Sequence, residues 1–513
     1  MIAALLQQES KAPPELVSQI ETLGRSVERV VEQQHALAEA AGIGAAVQTT
    51  RLDVFHGYIG VFVVAFLVTL LATPLMRRLA VAHGVIDRPN EARKVHKLPI
   101  AYLGGAAVFL GLVGGIFVSY LGLVLPGLGV IGWHPTVHLS LTGDHFPVPP
   151  SILLGMTVIM LVGLIDDVVG IEPRLKIAGQ LFAAAALAFD NVGVQVARGL
   201  LAPTVGEWLG NRDLLFIIPT AFQIPLVTHT APDGTPFMQL DLIYWTGTCI
   251  IAIFVLGACN ASNLIDGLDG LLSGVTGICA AALLVVALSL AVADDGPRDA
   301  QRVVLCMALL GACLGFLPHN FNPATIFLGD AGSLLLGFTT IVIVLTLGDT
   351  GKTHLVLAGM VIYAIPIMDT CLAIVRRKMA GKRLSEPDSD HLHHMLKRGL
   401  GVKGAVLTLY GIGISFGLLG IAMSLWKARV TYALAGVLVA YIAVISIKIA
   451  RRKQIEEAAL SRPYGRPGQA QARGSREGPA PSAPGDAGAP APPPIAPDGI
   501  TPAGEREETV THA

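Results

Sequence analysis

The chain has 513 residues, of which 53% are hydrophobic and only 14% are charged. Because a soluble domain of this length would carry about a quarter charged residues, the composition argues against an ordinary soluble enzyme and predicts an all-α polytopic membrane protein. The formal net charge of −1 gives no overall electrostatic basis for binding nucleic acid. The six cysteines lie mostly inside apolar runs and form no Cys-x-x-Cys pair, so we expect buried thiols, with neither disulfides nor a metal–thiolate site.

Residues 1–54 are predicted to form an N-terminal amphipathic extension. They lack the basic and long apolar regions of a signal peptide. Their apolar residues recur at heptad-like spacing, which is typical of an amphipathic helix that packs on itself, on a partner or on the membrane surface. A solvated helix without a partner fits the same pattern. The apolar positions are Leu16, Ile20, Leu23, Val27, Val30 and Leu37.

About eleven transmembrane helices are predicted within a membrane domain at residues 55–450. Lys and Arg cluster after the first, ninth and eleventh apolar runs, so we expect the N-terminus outside and the C-terminus in the cytoplasm. Residues 451–513 become rich in Pro, Ala, Gly and charge, which predicts a disordered cytoplasmic tail. The predicted spans lie near 55–76, 103–125, 151–165, 174–189, 243–259, 271–293, 303–318, 334–348, 354–375, 404–425 and 430–450.

This topology places five polar segments on the cytoplasmic face, and they contain every dense cluster of acids, His and Asn. The outer face has one long segment, residues 191–241, in which we expect a surface loop. Its alternating apolar residues leave a small hairpin cap as the alternative. The five cytoplasmic segments are 77–102, 166–173, 260–270, 319–333 and 376–403.

Carboxylates lie at the ends of two apolar runs. Asp166 and Asp167 end the third predicted span, and acids there either mark the exit of the helix into water or share a divalent cation or a basic partner. Asp330 lies between Gly329 and Ala331 just before the eighth span. A Gly-rich turn that opens a helix suits anion binding through free backbone N–H groups.

A polar stripe follows the fifth span directly. Its members recur every third residue, which would place them along one face of a helix, and Gly267 and Gly270 would let the backbone approach a ligand. Such a stripe is costly beside lipid, so we expect it to line a water-filled cavity that binds Mg²⁺ or a nucleotide. The stripe consists of Asn260, Asn263, Asp266 and Asp269.

Three histidines, His391, His393 and His394, lie close together among eight Lys and Arg residues after the ninth span. Clustered His residues favour zinc, but no cysteine is nearby and the basic flanks would repel a cation. Phosphate binding by His and Arg therefore fits better, with a solvated basic loop as the alternative. Asp369, inside the ninth span, is predicted to be the structural partner of a nearby cation.

Carboxylates without the basic loop would favour an ion or proton transporter. The two together predict phosphoryl transfer at the membrane surface, with one lipid substrate and one soluble substrate. A transporter or scramblase of lipid-linked sugars would place charges in mid-span, and a scaffold protein would leave the motifs unexplained.

The motifs resemble those of the polyprenyl-phosphate N-acetylhexosamine-1-phosphate transferases, glycosyltransferase family 4. The resemblance covers about residues 55–450 and implies transfer of a sugar-1-phosphate from a UDP-N-acetylhexosamine to a polyprenyl phosphate such as undecaprenyl phosphate. It further implies release of UMP, a requirement for Mg²⁺ or alternatively Mn²⁺, and an active site on the cytoplasmic face of the bacterial inner membrane. A homodimer is left open. The segments are IDRPNEARKVHKLPIAYLGG, GLIDDVVG, NASNLIDGLDGLLSG, FNPATIFLGDAGS and DSDHLHHML.

The resemblance also implies roles for individual residues. The acidic catalytic set is Asp166, Asp167, Asp266, Asp269 and Asp330, with Asp167 and Asp330 as Mg²⁺ ligands and Asp166 as a base or orienter of the lipid phosphate. The residues implied for substrate binding are Asn263, Asn320 and Phe327 on the nucleotide side, together with Asp266 of the acidic set, then Asn260, and Lys94, His96, Lys97, Arg376, Arg377, His391, His393 and His394 on the phosphate side.

Within the family, the motifs are closer to the GlcNAc-1-phosphate branch than to the phospho-MurNAc-pentapeptide branch. The latter has TPTMGG where this chain has LPIAYLGG, and three consecutive His where this chain has His-Leu-His-His. In the favoured branch an Arg is common where Ser389 lies, so one phosphate contact is either lost or supplied by Arg383. GlcNAc-1-phosphate transfer, in the synthesis of cell-surface glycans such as O-antigen or cell wall polymers, is therefore expected.

Overall fold

The computed structural model describes residues 50–87, 100–124, 147–219, 228–230, 236–293, 298–379, 381 and 391–460. The predicted N-terminal helix, the site candidates Lys94, His96 and Lys97, and residues 461–513 of the predicted tail lie outside these ranges, whereas residues 451–460 of that tail are helical. Within them, the helices are α1 (Arg51–Ala82), α2 (Gly104–Val124), α3 (Pro150–Val169), α4 (Pro173–Phe189), α5 (Gln195–Leu201), α6 (Glu207–Leu209), α7 (Leu242–Ile265), α8 (Leu271–Val292), α9 (Asp299–Asn320), α10 (Gly329–Thr346), α11 (Thr353–Ile362), α12 (Ala364–Met379), α13 (Leu392–Leu425) and α14 (Ala428–Leu460).

Among the described residues, nine helices are long and apolar enough to cross a membrane, and α11 with α12 makes a tenth span as a bent pair. Every predicted span falls on a helix, so the all-α multi-pass fold is confirmed. The remaining predicted span, near 174–189, corresponds to α4, which has 17 residues. At about 1.5 Å per residue it is slightly shorter than the roughly 30 Å hydrocarbon core of a bilayer. The orientation of the bundle in the membrane stays a prediction.

Helices α9 and α10 form the centre of the bundle. Within their membrane-spanning parts, 83% and 89% of the residues are buried against other helices, compared with 22% in α1. The first turn of α10 carries Asp330, so this carboxylate lies at one end of the most enclosed helix.

The ninth span is broken between α11 and α12, which meet at an angle of 80°. Pro366 explains the break, because it has no N–H to donate to the carbonyl of Ile362 and its ring crowds that carbonyl. The thiol of Cys279 donates to the Ile362 carbonyl instead, at 3.2 Å. The bend therefore leaves the Ile362 carbonyl without a partner in its own helix, and Cys279 of α8 supplies one.

The segment between α4 and α7 is a small cap, so the preferred prediction of a plain surface loop was wrong. It contains α5, a π-helical turn (Ala202–Gly206) and α6, followed by an antiparallel sheet. Some of its apolar residues pack around Ala197, Leu214 and Ile243 in a small core of their own. The strands of this sheet are β3 (Leu215–Pro219), β4 (Thr228–Thr230) and β5 (Pro236–Asp241), in the order β3-β5-β4, whereas β1 (Ile86–Asp87) and β2 (Ile100–Ala101) form a separate ladder.

A buried ionic network lies at the end of the bundle where α9 begins and α10 stops. Arg302 donates to Asp299 Oδ1 at 2.6 Å and to the Thr346 carbonyl at 2.9 Å. Arg298 pairs with Asp349, which also accepts the Gly193 N–H at 3.1 Å. These contacts tie several helices together at the end opposite Asp330.

Close helix contacts at glycine place α3 beside the start of α10. A Cβ added to Gly163 would lie 2.5 Å from both the Cα and the N of Ala331, which are backbone atoms that cannot rotate away. We expect Gly163→Ala to lower the free energy of unfolding by about 1–3 kcal/mol, because the two helices must separate. The loss can be measured by thermal or denaturant unfolding in detergent.

Gly114→Ala is the matched control for this change. It adds the same methyl group to a glycine of another membrane helix, where the nearest atom, Val68 Cγ2, is at an ordinary 3.5 Å. Equal stabilities for the two variants would contradict the close packing of α3 on α10.

Candidate active site

The carboxylate of Asp167 closes the N-terminus of α10. Its Oδ1 accepts the Asp330 N–H at 2.7 Å and its Oδ2 accepts the Ala331 N–H at 3.0 Å. These amides have no partner within the helix, and a negative charge there is also favoured by the helix dipole. Gly329, with φ of +70°, makes the approach possible, since a Cβ there would lie 2.4 Å from Asp167 Oδ2. Asp167 thus fixes the position of Asp330.

Lys176 joins two of the predicted carboxylates. Its Nζ lies 2.5 Å from Asp166 Oδ2 and 2.6 Å from Asp330 Oδ2. The other oxygen of Asp166 accepts the Ile171 N–H at 2.9 Å. The sequence interpretation missed Lys176, although a cation at the start of an apolar run, nine residues after an acid pair, is a usable signal.

The polar stripe on α7 faces the carboxylates of Asp166, Asp167 and Asp330, which form the acid group. Asn263 Nδ2 donates to Asp330 Oδ1 at 2.8 Å and to Ser333 Oγ at 3.0 Å. About one turn earlier, Asn260 Nδ2 donates to Gln180 Oε1 at 3.0 Å. The amide of Asn263 therefore contacts the acid group, and the amide of Asn260 contacts α4. Gln180 is a further polar residue that the sequence interpretation missed.

Asp266 follows the last residue of α7 and is half-buried. Burial raises the pKa of its carboxyl to about 8, and the negative charges of Asp330, Asp167 and Asp269 add to the effect. These effects favour the protonated carboxyl of Asp266, and a cation bound nearby would lower its pKa again.

Asp269 holds a neighbouring loop in place. Its Oδ2 accepts hydrogen bonds from Asn322 Nδ2 at 2.8 Å and from the Ala324 N–H at 3.0 Å. These contacts join the end of the polar stripe to the segment that leads into Asp330. The predicted catalytic residue Asp269 thus makes structural contacts with that segment.

Asn320 makes a second connection between the same two segments. Its Oδ1 accepts the Gly270 N–H at 3.1 Å and the Ser273 hydroxyl at 2.9 Å, while its Nδ2 donates to the Ile326 carbonyl at 3.1 Å. Its side chain is almost wholly buried. Its amide is therefore engaged by the protein itself, although Asn320 was predicted to bind the nucleotide.

Phe327 lies in a strip of extended backbone beside the first polar segment. Its N–H donates to the Ala101 carbonyl at 2.9 Å, and the Gly104 N–H donates to its carbonyl at 3.0 Å. The ring is half-exposed between buried neighbours, and its centroid is 6.0 Å from that of Tyr102. The predicted nucleotide contact is thus held next to Tyr102 by backbone hydrogen bonds.

The three histidines form one cluster at the start of α13. The rings of His391 and His393 stack with centroids 5.5 Å apart, and the ring of His394 is 4.3 Å from that of His393. The loop between α7 and α8, residues 266–270, carries Asp266 and Asp269 and is called the acidic loop. A Cβ on Gly267 would lie 2.5 Å from His393 Nε2, so the cluster packs against this loop. Of the two predicted arginines on α12, Arg376 is buried and Arg377 is half-buried.

The described parts of the five polar segments thus lie at one end of the bundle. Within the described ranges, no three His, Cys, Asp or Glu side chains converge in a metal-binding arrangement. The cation on which Asp166 and Asp330 converge is the Lys176 ammonium. The donor chemistry nevertheless suits Mg²⁺, because hard carboxylate oxygens outnumber the single ammonium in this group.

The sequence matches the family "Glycosyl transferase family 4" over residues 149–348, which span most of the segments described above. Among the similar proteins is a probable undecaprenyl-phosphate N-acetylglucosaminyl 1-phosphate transferase of Bacillus subtilis. The two are 30% identical over 366 residues, covering 71% of this chain and 84% of that protein.

Two further relatives bear on the substrate. Decaprenyl-phosphate N-acetylglucosaminephosphotransferase of Mycobacterium tuberculosis is 33% identical over 361 residues, covering 67% of this chain and 77% of that protein. Phospho-N-acetylmuramoyl-pentapeptide-transferase of Bacillus cytotoxicus is 28% identical over 377 residues, covering 71% of this chain and 96% of that protein.

The position of Lys176 predicts how its loss changes the acid group. Lys176→Met removes one positive charge from between Asp166 and Asp330, so we expect the affinity of the ligand-free protein for Mn²⁺ to rise about tenfold or more. Mn²⁺ binding can be measured by electron paramagnetic resonance. Arg174→Met, two residues away on the exposed side of α4, is the matched control and should leave the affinity unchanged. An unchanged affinity for Mn²⁺ in Lys176→Met would contradict the placement of Lys176 between Asp166 and Asp330.

Proposed function

The chain belongs to glycosyl transferase family 4, and we propose that it transfers GlcNAc-1-phosphate from UDP-GlcNAc to a polyprenyl phosphate. One observation carries the proposal. The carboxylates of Asp166 and Asp330 share Lys176, and a His cluster packs against the adjacent acidic loop at His393. Acidic and imidazole groups at one end of a membrane bundle suit a reaction that joins a lipid phosphate to a soluble diphosphate.

The proposed step is a phosphoryl substitution. An oxygen of the polyprenyl phosphate forms a bond to the sugar-linked phosphorus of UDP-GlcNAc. The bond from that phosphorus to the bridging oxygen breaks, and UMP leaves with the electron pair. The product is a polyprenyl diphosphate sugar, and the number of phosphoanhydride bonds is unchanged.

The main obstacle is the approach of two anions, so the role of the protein is to position and neutralise them. Lys176 is placed to bind a phosphate oxygen if it exchanges one carboxylate partner for the substrate. Asn263 keeps Asp330 oriented through its 2.8 Å hydrogen bond. The His cluster, which packs against the acidic loop at Gly267, is proposed to contribute N–H donors to the phosphates.

Asp167 and Asp330 are the proposed ligands of Mg²⁺. Each oxygen of Asp167 accepts one backbone N–H and keeps a further lone pair. Bound Mg²⁺ would neutralise the diphosphate oxygens and stabilise the departing UMP. The two carboxylates share a helix terminus, so the cap of α10 fixes the distance between them.

Asp166 is proposed to orient the acceptor. A phosphate monoester is mostly anionic at neutral pH, so its oxygen needs no strong base. Asp166 is paired with Lys176 and also accepts the Ile171 N–H. A carboxylate held in this way suits orientation of Lys176 and the acceptor phosphate better than proton abstraction.

We propose that the site faces the cytoplasm from the bacterial inner membrane. The site end of the bundle carries the exposed Arg77 and Arg78 at the close of α1, in keeping with the enrichment of cations in cytoplasmic loops. A nucleotide sugar is also a soluble cytoplasmic substrate. The two GlcNAc-phosphate transferases among the relatives support the choice of sugar, and the muramoyl-pentapeptide relative supplies the competing donor for any assay.

The reaction itself can be tested directly. The purified full chain, with Mg²⁺, UDP-GlcNAc and undecaprenyl phosphate, should release UMP and form a lipid-linked diphosphate sugar. UMP is measured by chromatography against parallel reactions with UDP-GalNAc, UDP-glucose and UDP-MurNAc-pentapeptide. Release of UDP would indicate an ordinary glycosyltransferase, and preferential use of UDP-MurNAc-pentapeptide would replace the proposed donor.

The metal assignment predicts that Asp330→Asn and Asp167→Asn lower turnover by about two or more orders of magnitude, because each removes a carboxylate from the proposed ligand set. UMP release is measured over a range of Mg²⁺ concentrations in folded protein. Activity should also survive a zinc-selective chelator in excess Mg²⁺.

Asp213→Asn is the control, since it removes an exposed carboxylate in the outer cap. Near-normal Mg²⁺-dependent turnover in both Asp330→Asn and Asp167→Asn would show that the cation is held elsewhere. Loss of activity on chelation that only zinc restores would reopen the His cluster as a metal site.

A further inference from the structure

Asp369 is a buried carboxylate on α12 whose side chain is only 1% exposed. Its Oδ2 lies 3.0 Å from His391 Nδ1, and its Oδ1 accepts the Leu392 N–H at 2.7 Å. Nδ1 of His393 lies 3.6 Å from the same Oδ2. A buried carboxylate is costly without such partners, so the start of α13 is what stabilises it.

These contacts couple Asp369 to the fold around it. Asp369 follows Pro366 by three residues, on the helix whose direction changes by 80° at the break. Its Oδ1 binds an amide in the first turn of α13, which no carbonyl within that helix can satisfy. One carboxylate therefore fixes both the start of α13 and the imidazoles carried there.

The backbone of His391 allows two histidines to share this carboxylate. His391 precedes the first residue of α13 and has extended backbone angles, with φ of −58° and ψ of 152°. Residues two positions apart within a helix face different sides. Because His391 lies outside the helix, its ring can stack on that of His393 with an angle of 13° between the planes.

The carboxylate also determines which ring nitrogens face the site. A carboxylate accepts hydrogen bonds, so the Nδ1 of His391 that faces it carries a hydrogen. The Nε2 of His393 points to the other side, where a Cβ on Gly267 would lie 2.5 Å from it. Gly267 is adjacent to Asp266, so the imidazole bridges the distance between Asp369 and the acidic loop.

We propose that Asp369 is a positioning residue for sugar-phosphate transfer. It holds His391 and His393 with their Nδ1 atoms turned inward, so that the Nε2–H of each ring, when the imidazole is protonated on both nitrogens, is directed to the phosphates of the nucleotide sugar. This inference rests on the proposed function, because it assigns a substrate to the ring edges. Asp369 itself touches no substrate and acts through the histidines.

The first test is the effect of Asp369→Asn on the kinetics of the full chain in nanodiscs. The amide keeps an oxygen for the Leu392 N–H but loses the charge that holds the imidazoles. We expect the KM for UDP-GlcNAc to rise about tenfold or more, by analogy with the loss seen when the orienting partner of a metal-bound His is removed. Asp369→Glu keeps the carboxylate and should restore part of the loss.

A double-mutant cycle separates positioning from general destabilisation. Because Asp369 acts through His391 and His393, the rise in KM for UDP-GlcNAc in the Asp369→Asn/His391→Ala double variant should be clearly smaller than the product of the two single rises. Independent effects would multiply instead. If Asp369→Asn is not recovered as folded protein, the same cycle is run with Asp369→Glu, which displaces the carboxylate by one methylene group.

Asp349→Asn is the matched control at the opposite end of the bundle. Asp349 is also a buried carboxylate that accepts one backbone N–H, from Gly193, and pairs with one cation, Arg298. Its replacement should lower the melting temperature and leave the KM for UDP-GlcNAc unchanged. A merely structural role for Asp369 would give the same result as this control.

The outcomes distinguish the two proposals. If the wild-type chain releases no UMP from any UDP-sugar, the proposed function fails and the inference fails with it. If the wild type is active, and Asp369→Asn leaves the KM unchanged or multiplies with His391→Ala, only the positioning role is overturned. A raised KM, partial rescue by Asp369→Glu and a non-multiplying double variant together support it.

Discussion

The carboxylate of Asp167 at the N-terminus of α10 is the interaction on which the site depends. It satisfies two amides that the helix leaves open, and in doing so brings α3 against the most enclosed helix of the bundle. Asp330 is in the first turn of α10, and its own backbone N–H donates to Asp167. Asp167 therefore also fixes the position from which the Asp330 side chain extends. The close packing at Gly163 is required for this approach, since a methyl group there would separate the two helices. The capping of α10 by Asp167 therefore depends on the close packing of α3 against α10 at Gly163.

Gathering carboxylates beside a hydrophobic bundle is costly, and the structure offsets the cost in two ways. Lys176 supplies a positive charge shared by Asp166 and Asp330, and backbone amides supply donors for the acids at loop and helix ends. Part of the cost is not offset, as Asp266 shows. Burial and the charges of its acidic neighbours raise the pKa of its carboxyl to about 8. The charge of the group is thus only partly balanced by the protein, which is the condition under which a further cation is favoured.

The sequence predicts the spans and the meeting of the polar segments because both follow from local pattern. Apolar runs of helical length determine the helices. Because successive helices cross the membrane in opposite directions, every second connection lies on the same face, and the polar segments come together there. Contacts such as Lys176 with Asp330, or Asp369 with His391, depend on how helices pack and turn, which no local pattern contains. The bend at Pro366 and the cap after α4 likewise depend on how the elements pack against one another. Proline and alternating residues mark the places, but the directions are set by tertiary contacts.

The polar residues at the site fall into two groups that differ in their partners. Asn320 and Asp269 bind backbone amides and carbonyls or neutral side chains, so replacing those bonds would detach a loop. Asp166, Asp330 and Lys176 are bound mainly to one another, and a charged substrate or cation can take the place of one partner with little net loss of charge pairing. The first group therefore maintains the shape of the site. The second is free to exchange partners during a reaction without disturbing the helices that carry it.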